Sequence, residues 1–216
     1  MLLLARHGET DDNVPPLRFQ GQRDTPLNER GREQARELAD RVAALEQPVA
    51  SLWASDLSRA RETAEIVGER IGLTPQLDAR LREGWRGEWE GFLFDEIAAS
   101  DPERYAAWRS PDAEVGFQFP GGETLAQQQA RVLECLREIA GVPMAASHVT
   151  VGEASAVEVD RHASGASAQS ELPALVVCHG GSIRTMLCRR DPRRLAAFHT
   201  FEVPNVTLVP LEVAEL

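Results

Sequence analysis

Apolar and polar positions follow two rhythms along this chain, and the changes of rhythm mark its elements. LLLARHGET (residues 2–10) opens with an apolar run that ends in Arg6, His7 and Gly8, as a short buried strand does when it meets a turn. Residues 8–28 are broken up by Gly8, Pro15, Pro16, Gly21 and Pro26 and read as loop. Asn28 is suited to cap a helix over about 29–46, on which Ala35, Leu38, Ala39, Val42 and Leu45 share a face. VASLWAS (49–55) predicts a second strand, and a helix over about 57–71 follows with Leu57, Ala60, Ala64, Val67 and Ile71 on one side. TPQLDARL (74–81) reads as a short strand or edge. Residues 93–109 predict one or two short helices broken at Pro102, and 123–140 a long helix carrying Leu125, Val132, Leu133, Leu136 and Ile139. ALVVCHG (174–180) is a clear strand, with a helix over about 181–190 after it, and NVTLVPLEV (205–213) a last strand.

Strands alternating with helices predict an α/β fold, a three-layer sandwich with a mostly parallel central sheet flanked by helices. One domain, 1–216, is expected from the length. Residues 141–173 interrupt the rhythm: rich in Ala, Ser and Gly, they predict an inserted loop or hairpin. Val149/Val151 and Val157/Val159 alternate around Gly152 there, and 161–171 reads as a flexible loop.

Composition narrows the chemistry. The net charge of −11 argues against partners such as nucleic acid or anionic membrane, so an anionic substrate needs a local basic site. All 23 basic residues are Arg. P-loop NTPases, Schiff-base enzymes and protein kinases each need a Lys and are excluded. Cys135, Cys178 and Cys188 show no metal or CxxC spacing, which predicts free buried thiols in a reducing compartment. With no signal-peptide pattern and no apolar run near 18 residues, a cytoplasmic protein is expected.

In a parallel α/β sheet, ligands gather at the carboxyl ends of the strands. One strand here ends Arg6-His7-Gly8 and another Cys178-His179-Gly180-Gly181, which opens a helix. A glycine after each His lets backbone approach a ligand closely. Arg59 falls in the first turn of the helix after the second strand, at the same edge. Two imidazoles, two guanidiniums and a helix N-terminus suit a phosphoryl group: Arg binds its oxygens, and a His attacks phosphorus through one ring nitrogen. No acidic cluster or His spacing suggests a metal, and no cofactor is expected. A proton donor is still needed for the leaving alkoxide. Glu83, among Leu81, Trp85 and Trp89, is the candidate, its carboxyl expected to be raised toward neutrality by apolar neighbours. Glu88 and Glu90 stand close by as alternatives.

ARHGETDDN, ASDLSRARETA, LREGWRGEWEG, PGGET and VVCHGGSIR together resemble, in order, the motifs of the histidine phosphatase (phosphoglycerate mutase-like) superfamily. The resemblance implies His7 as a nucleophile that forms phosphohistidine, Arg6, Arg59 and His179 as the phosphate pocket, and Glu83 as proton donor. It adds Asn13, Gln20 and Gly21 on the substrate side. Thr10 and Gly180 are grouped with them. It also implies metal independence and a small phosphorylated substrate. The family's mutases carry an adjacent Arg pair and a Lys after the acid. Here 84–122 has only Arg86, Arg104 and Arg109, which favours the phosphatase branch over a mutase or a silent phospho-ligand binder. Residues 84–122 hold eight of the twelve aromatics and are expected to form a helical or loop cap over the carboxyl edge of the strands, with an apolar wall toward substrate. The 141–173 insertion enters its strand from the far end of the sheet, which suits a partner surface such as a homodimer rather than a lid.

Overall fold

A computed structural model describes residues 1–110, 116–142 and 172–216. Its centre is a five-stranded sheet of order β3-β2-β4-β1-β5, built from β1 (Leu2–Arg6), β2 (Ser51–Ala54), β3 (Gln76–Leu77), β4 (Ala174–Cys178) and β5 (Leu208–Leu211). The first four run parallel, and β5 joins β1 antiparallel at the edge. An edge strand is where a strand proline is tolerated, because its missing N–H removes no ladder bond. Pro210 occupies such a position, opposite Leu3.

Among the described residues six helices complete the layers: α1 (Glu29–Ala43), α2 (Ser58–Ile71), α3 (Phe94–Ser100), α4 (Pro102–Arg109), α5 (Leu125–Ile139) and α6 (Gly180–Leu187). Of the one or two helices expected over 93–109 there are two, the second started by Pro102 at the first turn of α4, where a missing N–H does no harm. The Asn28 side chain caps α1 by accepting from Gly31 N at 2.8 Å. The expected strand over 74–81 shrinks to two residues, because Asp78 caps a 3-10 turn at Ala79–Leu81.

Alternation along the strands splits the core in two. Leu3, Ala5, Leu175 and Val177 face α1 and α2, against Leu38, Ala39, Ala60, Ala64 and Val67. Leu2, Leu4, Val176 and Cys178 face the other way, against Val132 and Leu136 of α5 and Ile183 and Met186 of α6. Each buried Leu, Val, Ile or Met among them stabilises the fold by roughly 1.5–3 kcal/mol. A third cluster lies above the carboxyl ends of the strands, where Phe19, Trp89, Ile97 and Phe119 are buried with Phe94, Tyr105, Trp108 and Phe117 around them. The hairpin expected around Gly152 lies outside the described residues, as does nearly all of 141–173. The three cysteines are free and buried, and no helix among the described residues is long and apolar enough to cross a membrane.

Candidate active site

Parallel pairing sets the two histidines side by side. Arg6 is in register with Cys178, His7 N donates to Cys178 O at 3.0 Å, and the His7 and His179 rings lie 5.1 Å apart. Both rings are buried. The His7 Nδ1 is 2.6 Å from its neighbour's carbonyl, Gly8 O. That acceptor places the ring proton on Nδ1 and leaves the Nε2 lone pair free. Burial first, then the Arg59, His179 and Arg6 charges, pushes the His7 pKa well below the ordinary value, so the ring is neutral. Burial and the charges of Arg59, Arg131 and Arg6 do the same for His179. The His179 Nε2 is 2.9 Å from Ser55 Oγ. With the Ser55 hydroxyl donating to it, the His179 proton sits on Nδ1.

The guanidiniums are held from behind. Arg59, completely buried, donates to Arg23 O and Gly21 O, both at 2.7 Å, and Arg6 donates to Val203 O at 2.6 Å. Among the described residues, Arg6 Nε, Arg59 Nε, Asn13 Nδ2 and His179 Nδ1 are buried without a protein partner. Unpaired buried donors are costly, and one phosphoryl group would satisfy such a set. Burial is the main reason both arginines are lowered, to about 10, which leaves them charged at neutral pH.

Glu83 sits at the rim of this pocket. It accepts from Gly84 N at 2.8 Å, Gly181 N at 2.9 Å and Gln128 Nε2 at 2.8 Å, with Arg86 at 3.5 Å. Burial alone would raise its carboxyl, but the Arg86 charge and these hydrogen bonds outweigh that and hold it at about 2. The expectation of a raised value is therefore overturned. The apolar neighbours that suggested it point elsewhere: Trp85 is half exposed and Trp89 packs in the aromatic cluster. The alternatives fail on position. Glu90 accepts from Gln22 N and Arg86 N, and Glu88 is exposed.

A cavity of about 380 Å³ opens over the pocket, and Arg6, His7, Asn13, Gln20, Gly21 and Glu83 line it. Thr10 and Gly180 stand behind. Thr10 is buried and accepts from Gln20 Nε2 at 2.6 Å, so it orients that amide. The glycines serve packing more than ligand approach. A Cβ on Gly8 would sit 2.3 Å from Gly31 O of α1, and one on Gly180 would meet the Arg6 side chain. Gly21 has a φ of +52°, and a Cβ there would strike the Glu90 carboxylate.

Several lining or supporting residues were not marked by the sequence. Arg86, Arg109, Arg184, Phe198 and His199 line the cavity. Of the aromatics assigned to an apolar wall, Phe94 and Trp108 line it, while Phe92, like Trp85, is half exposed. Arg131 on α5 donates to Arg80 O, Arg82 O and Glu83 O and so fixes the loop that carries the acid. Asn205 Nδ2 donates to His7 O at 3.0 Å. No local pattern flags Arg131 or Asn205, since their partners lie far off in the chain. Arg86, Arg109 and Arg184 also weaken the argument made from spacing against a mutase: arginines that are not adjacent in sequence share one cavity.

Comparison with known proteins identifies the family. The family model for the histidine phosphatase superfamily (branch 1) matches residues 2–215. The glucosyl-3-phosphoglycerate phosphatase of Mycobacterium tuberculosis is 36% identical over 185 residues, 86% of this chain and 72% of that protein. A metal-independent phosphoserine phosphatase of Arabidopsis thaliana is 36% identical over 141 residues, 64% of this chain and 58% of that one. The solved structure of the mycobacterial glucosyl-3-phosphoglycerate phosphatase superimposes with a TM-score of 0.72 at 31% identity, covering 96% of this chain and 87% of that one. With the family match running almost end to end and phosphatases among its relatives, the chain belongs to the histidine phosphatase superfamily, branch 1, and is a phosphoric monoester hydrolase.

Proposed function

We propose that this chain hydrolyses a small phosphomonoester without a metal, through a phosphohistidine on His7. The observation that carries the reading is the neutral His7 ring, its Nδ1 engaged by Gly8 O, set among buried donors that lack protein partners. In the first half-reaction His7 Nε2 attacks phosphorus. The bond to the ester oxygen breaks, its electron pair leaves with that oxygen, and Glu83 supplies the proton. In the second half, water attacks the phosphorus and gives a proton to the Glu83 carboxylate. The N–P bond breaks, and inorganic phosphate leaves. Arg6, Arg59, His179 and Asn13 hold the phosphoryl oxygens throughout, and the two guanidiniums offset the negative charge that a metal ion offsets in other phosphoryl-transfer sites. Gln20 and Gly21 border the oxygens, Thr10 orients Gln20, and the 84–122 segment is the cap.

Glu83 is ionised in the free protein, so it must gain a proton before the first step. The negative charge of a bound phosphoryl group pushes it that way. The relatives support a carboxylated sugar-like or amino-acid phosphate, and three free thiols suit a reducing, cytoplasmic setting. The test is phosphate release from p-nitrophenyl phosphate in excess EDTA. Turnover by the unmodified chain that disappears in His7→Ala supports the reading, and turnover that survives the substitution ends it. A mutase would shift phosphate within one molecule without releasing it, and phosphate release from 3-phosphoglycerate, followed beside formation of 2-phosphoglycerate, separates the two.

A further inference from the structure

The mechanism leaves one side of the cavity without a task. Arg86, Arg109 and Arg184 line it beyond the phosphate pocket, beside Phe94, Trp108 and Phe198. The Arg86 side chain is only 11% exposed and lies over the Phe119 ring, 4.6 Å from its centre. Its one side-chain hydrogen bond among the described residues is the 3.5 Å contact to Glu83, long for a charged pair. Arg184 gives Nε to Phe201 O, and its other nitrogens have no partner among the described residues. It is near enough to repel both Arg6 and Arg86. Arg109 makes no ion pair among the described residues and rests against Trp108. Arg6, Arg18, Arg86, Arg109 and Arg184 line the cavity against Asp12 and Glu83, a cation excess even with Glu123 and Glu90 also attracting Arg86, and Arg6 and Arg59 already balance a phosphoryl dianion.

We propose that Arg86 is a specificity-determining residue: with Arg109 and Arg184 it receives a carboxylate carried by the alcohol part of the phosphomonoester, and in doing so it lets go of Glu83. This inference rests on the phosphohistidine reading. It joins substrate choice to the proton that the first step needs. While Arg86 stays on Glu83, the carboxylate is held ionised. Once Arg86 turns to the ligand, Glu83 is faced by Arg6 from β1, Arg59 from α2, the N–H groups of Gly84 and Gly181, Gln128 of α5 and the thiol of Cys178 on β4. The thiol is pushed up to about 12 by burial and is neutral, and the phosphoryl dianion offsets Arg6 and Arg59. Glu83 then takes a proton from solvent and passes it to the leaving oxygen. A substrate without the carboxylate leaves Arg86 where it is, and its alkoxide departs slowly.

The experiment compares 3-phosphoglycerate with glycerol 3-phosphate, which has a hydroxymethyl group in place of the carboxylate, on the unmodified chain and on Arg86→Leu and Arg86→Gln. The readout is the ratio of the two kcat/KM values. Where turnover is too slow, it is the ratio of their Ki values against p-nitrophenyl phosphate. The unmodified chain favours the carboxylated ester by about tenfold or more, the worth of one charge-assisted hydrogen bond. Either variant brings the ratio to within about threefold. With Arg86 gone from Glu83, kcat holds or rises for glycerol 3-phosphate while kcat/KM falls for 3-phosphoglycerate. Absence of a preference in the unmodified chain overturns the proposal. So does a preference that both variants keep, or an equal loss on both esters. His7-dependent turnover of p-nitrophenyl phosphate separates the two readings: if it stands while the ratio does not move, only the carboxylate site fails.

Discussion

Replacing Glu83 with glutamine keeps the side chain's shape and removes its charge. Three N–H groups donate to that carboxylate, and Arg86 stands 3.5 Å away, with Arg6 and Arg59 also within its field. A carboxyl held at about 2 instead of 4.5 corresponds to roughly 3 kcal/mol of stability at neutral pH, at about 1.4 kcal/mol per tenfold change in acidity. Because the folded value lies below the ordinary one, that contribution is complete above pH 4.5 and is lost as the pH falls toward 2. Urea denaturation of Glu83→Gln therefore shows a deficit of about 3 kcal/mol at pH 7, shrinking to about half by pH 3. Activity changes in a way that depends on the leaving group. An alkyl phosphate, whose alkoxide needs a proton, loses about 10²- to 10⁴-fold in kcat, whereas p-nitrophenyl phosphate, with an acidic leaving group, loses far less. A glutamine variant as stable as the parent at pH 7 refutes the charge argument, and equal losses on both esters refute the role as proton donor.

Arg59→Lys keeps a positive charge but cannot reach Arg23 O and Gly21 O while facing the phosphoryl oxygens, so Ki for inorganic phosphate rises by roughly tenfold or more. Gly8→Ala drives a Cβ to 2.3 Å from Gly31 O and forces β1 away from α1. It lowers stability by about 1–3 kcal/mol or more in thermal denaturation. His7 and His179 are held well below 6.5 by burial and the nearby arginines, so both stay neutral in the folded protein after unfolded imidazoles have charged. Stability accordingly falls as the pH drops below about 6.5, and His7→Ala removes part of that slope. The acid limb of kcat/KM lies below pH 6.5 for the same reason; a limb at or above 6.5 contradicts the neutral His7.

Much of the site was legible in the chain because strands end abruptly. An apolar run closing in Arg6-His7, and another in Cys178-His179, places those side chains at the edge of any parallel sheet, and helix spacing puts Arg59 beside them. Capping and periodicity likewise located α1, α2 and α5. Glu83 was found from its position, but its ionisation was misjudged. Trp85 and Trp89 are its neighbours in sequence, while Gly181, Gln128 and Arg86 are its neighbours in space. The aromatic segment was assigned to substrate, yet four of its eight rings pack on Phe19.

Local patterning determined the elements, the kind of fold and the residues able to handle a phosphoryl group, because hydrophobic period, turn chemistry and donor type are properties of a few adjacent residues. The tertiary structure alone decided which charge state Glu83 holds and that Arg86, Arg109 and Arg184 share a cavity. Those outcomes depend on burial and on partners as much as 98 residues apart, as Glu83 and Gly181 are. Electrostatic energies inside a protein are set by such neighbours in space.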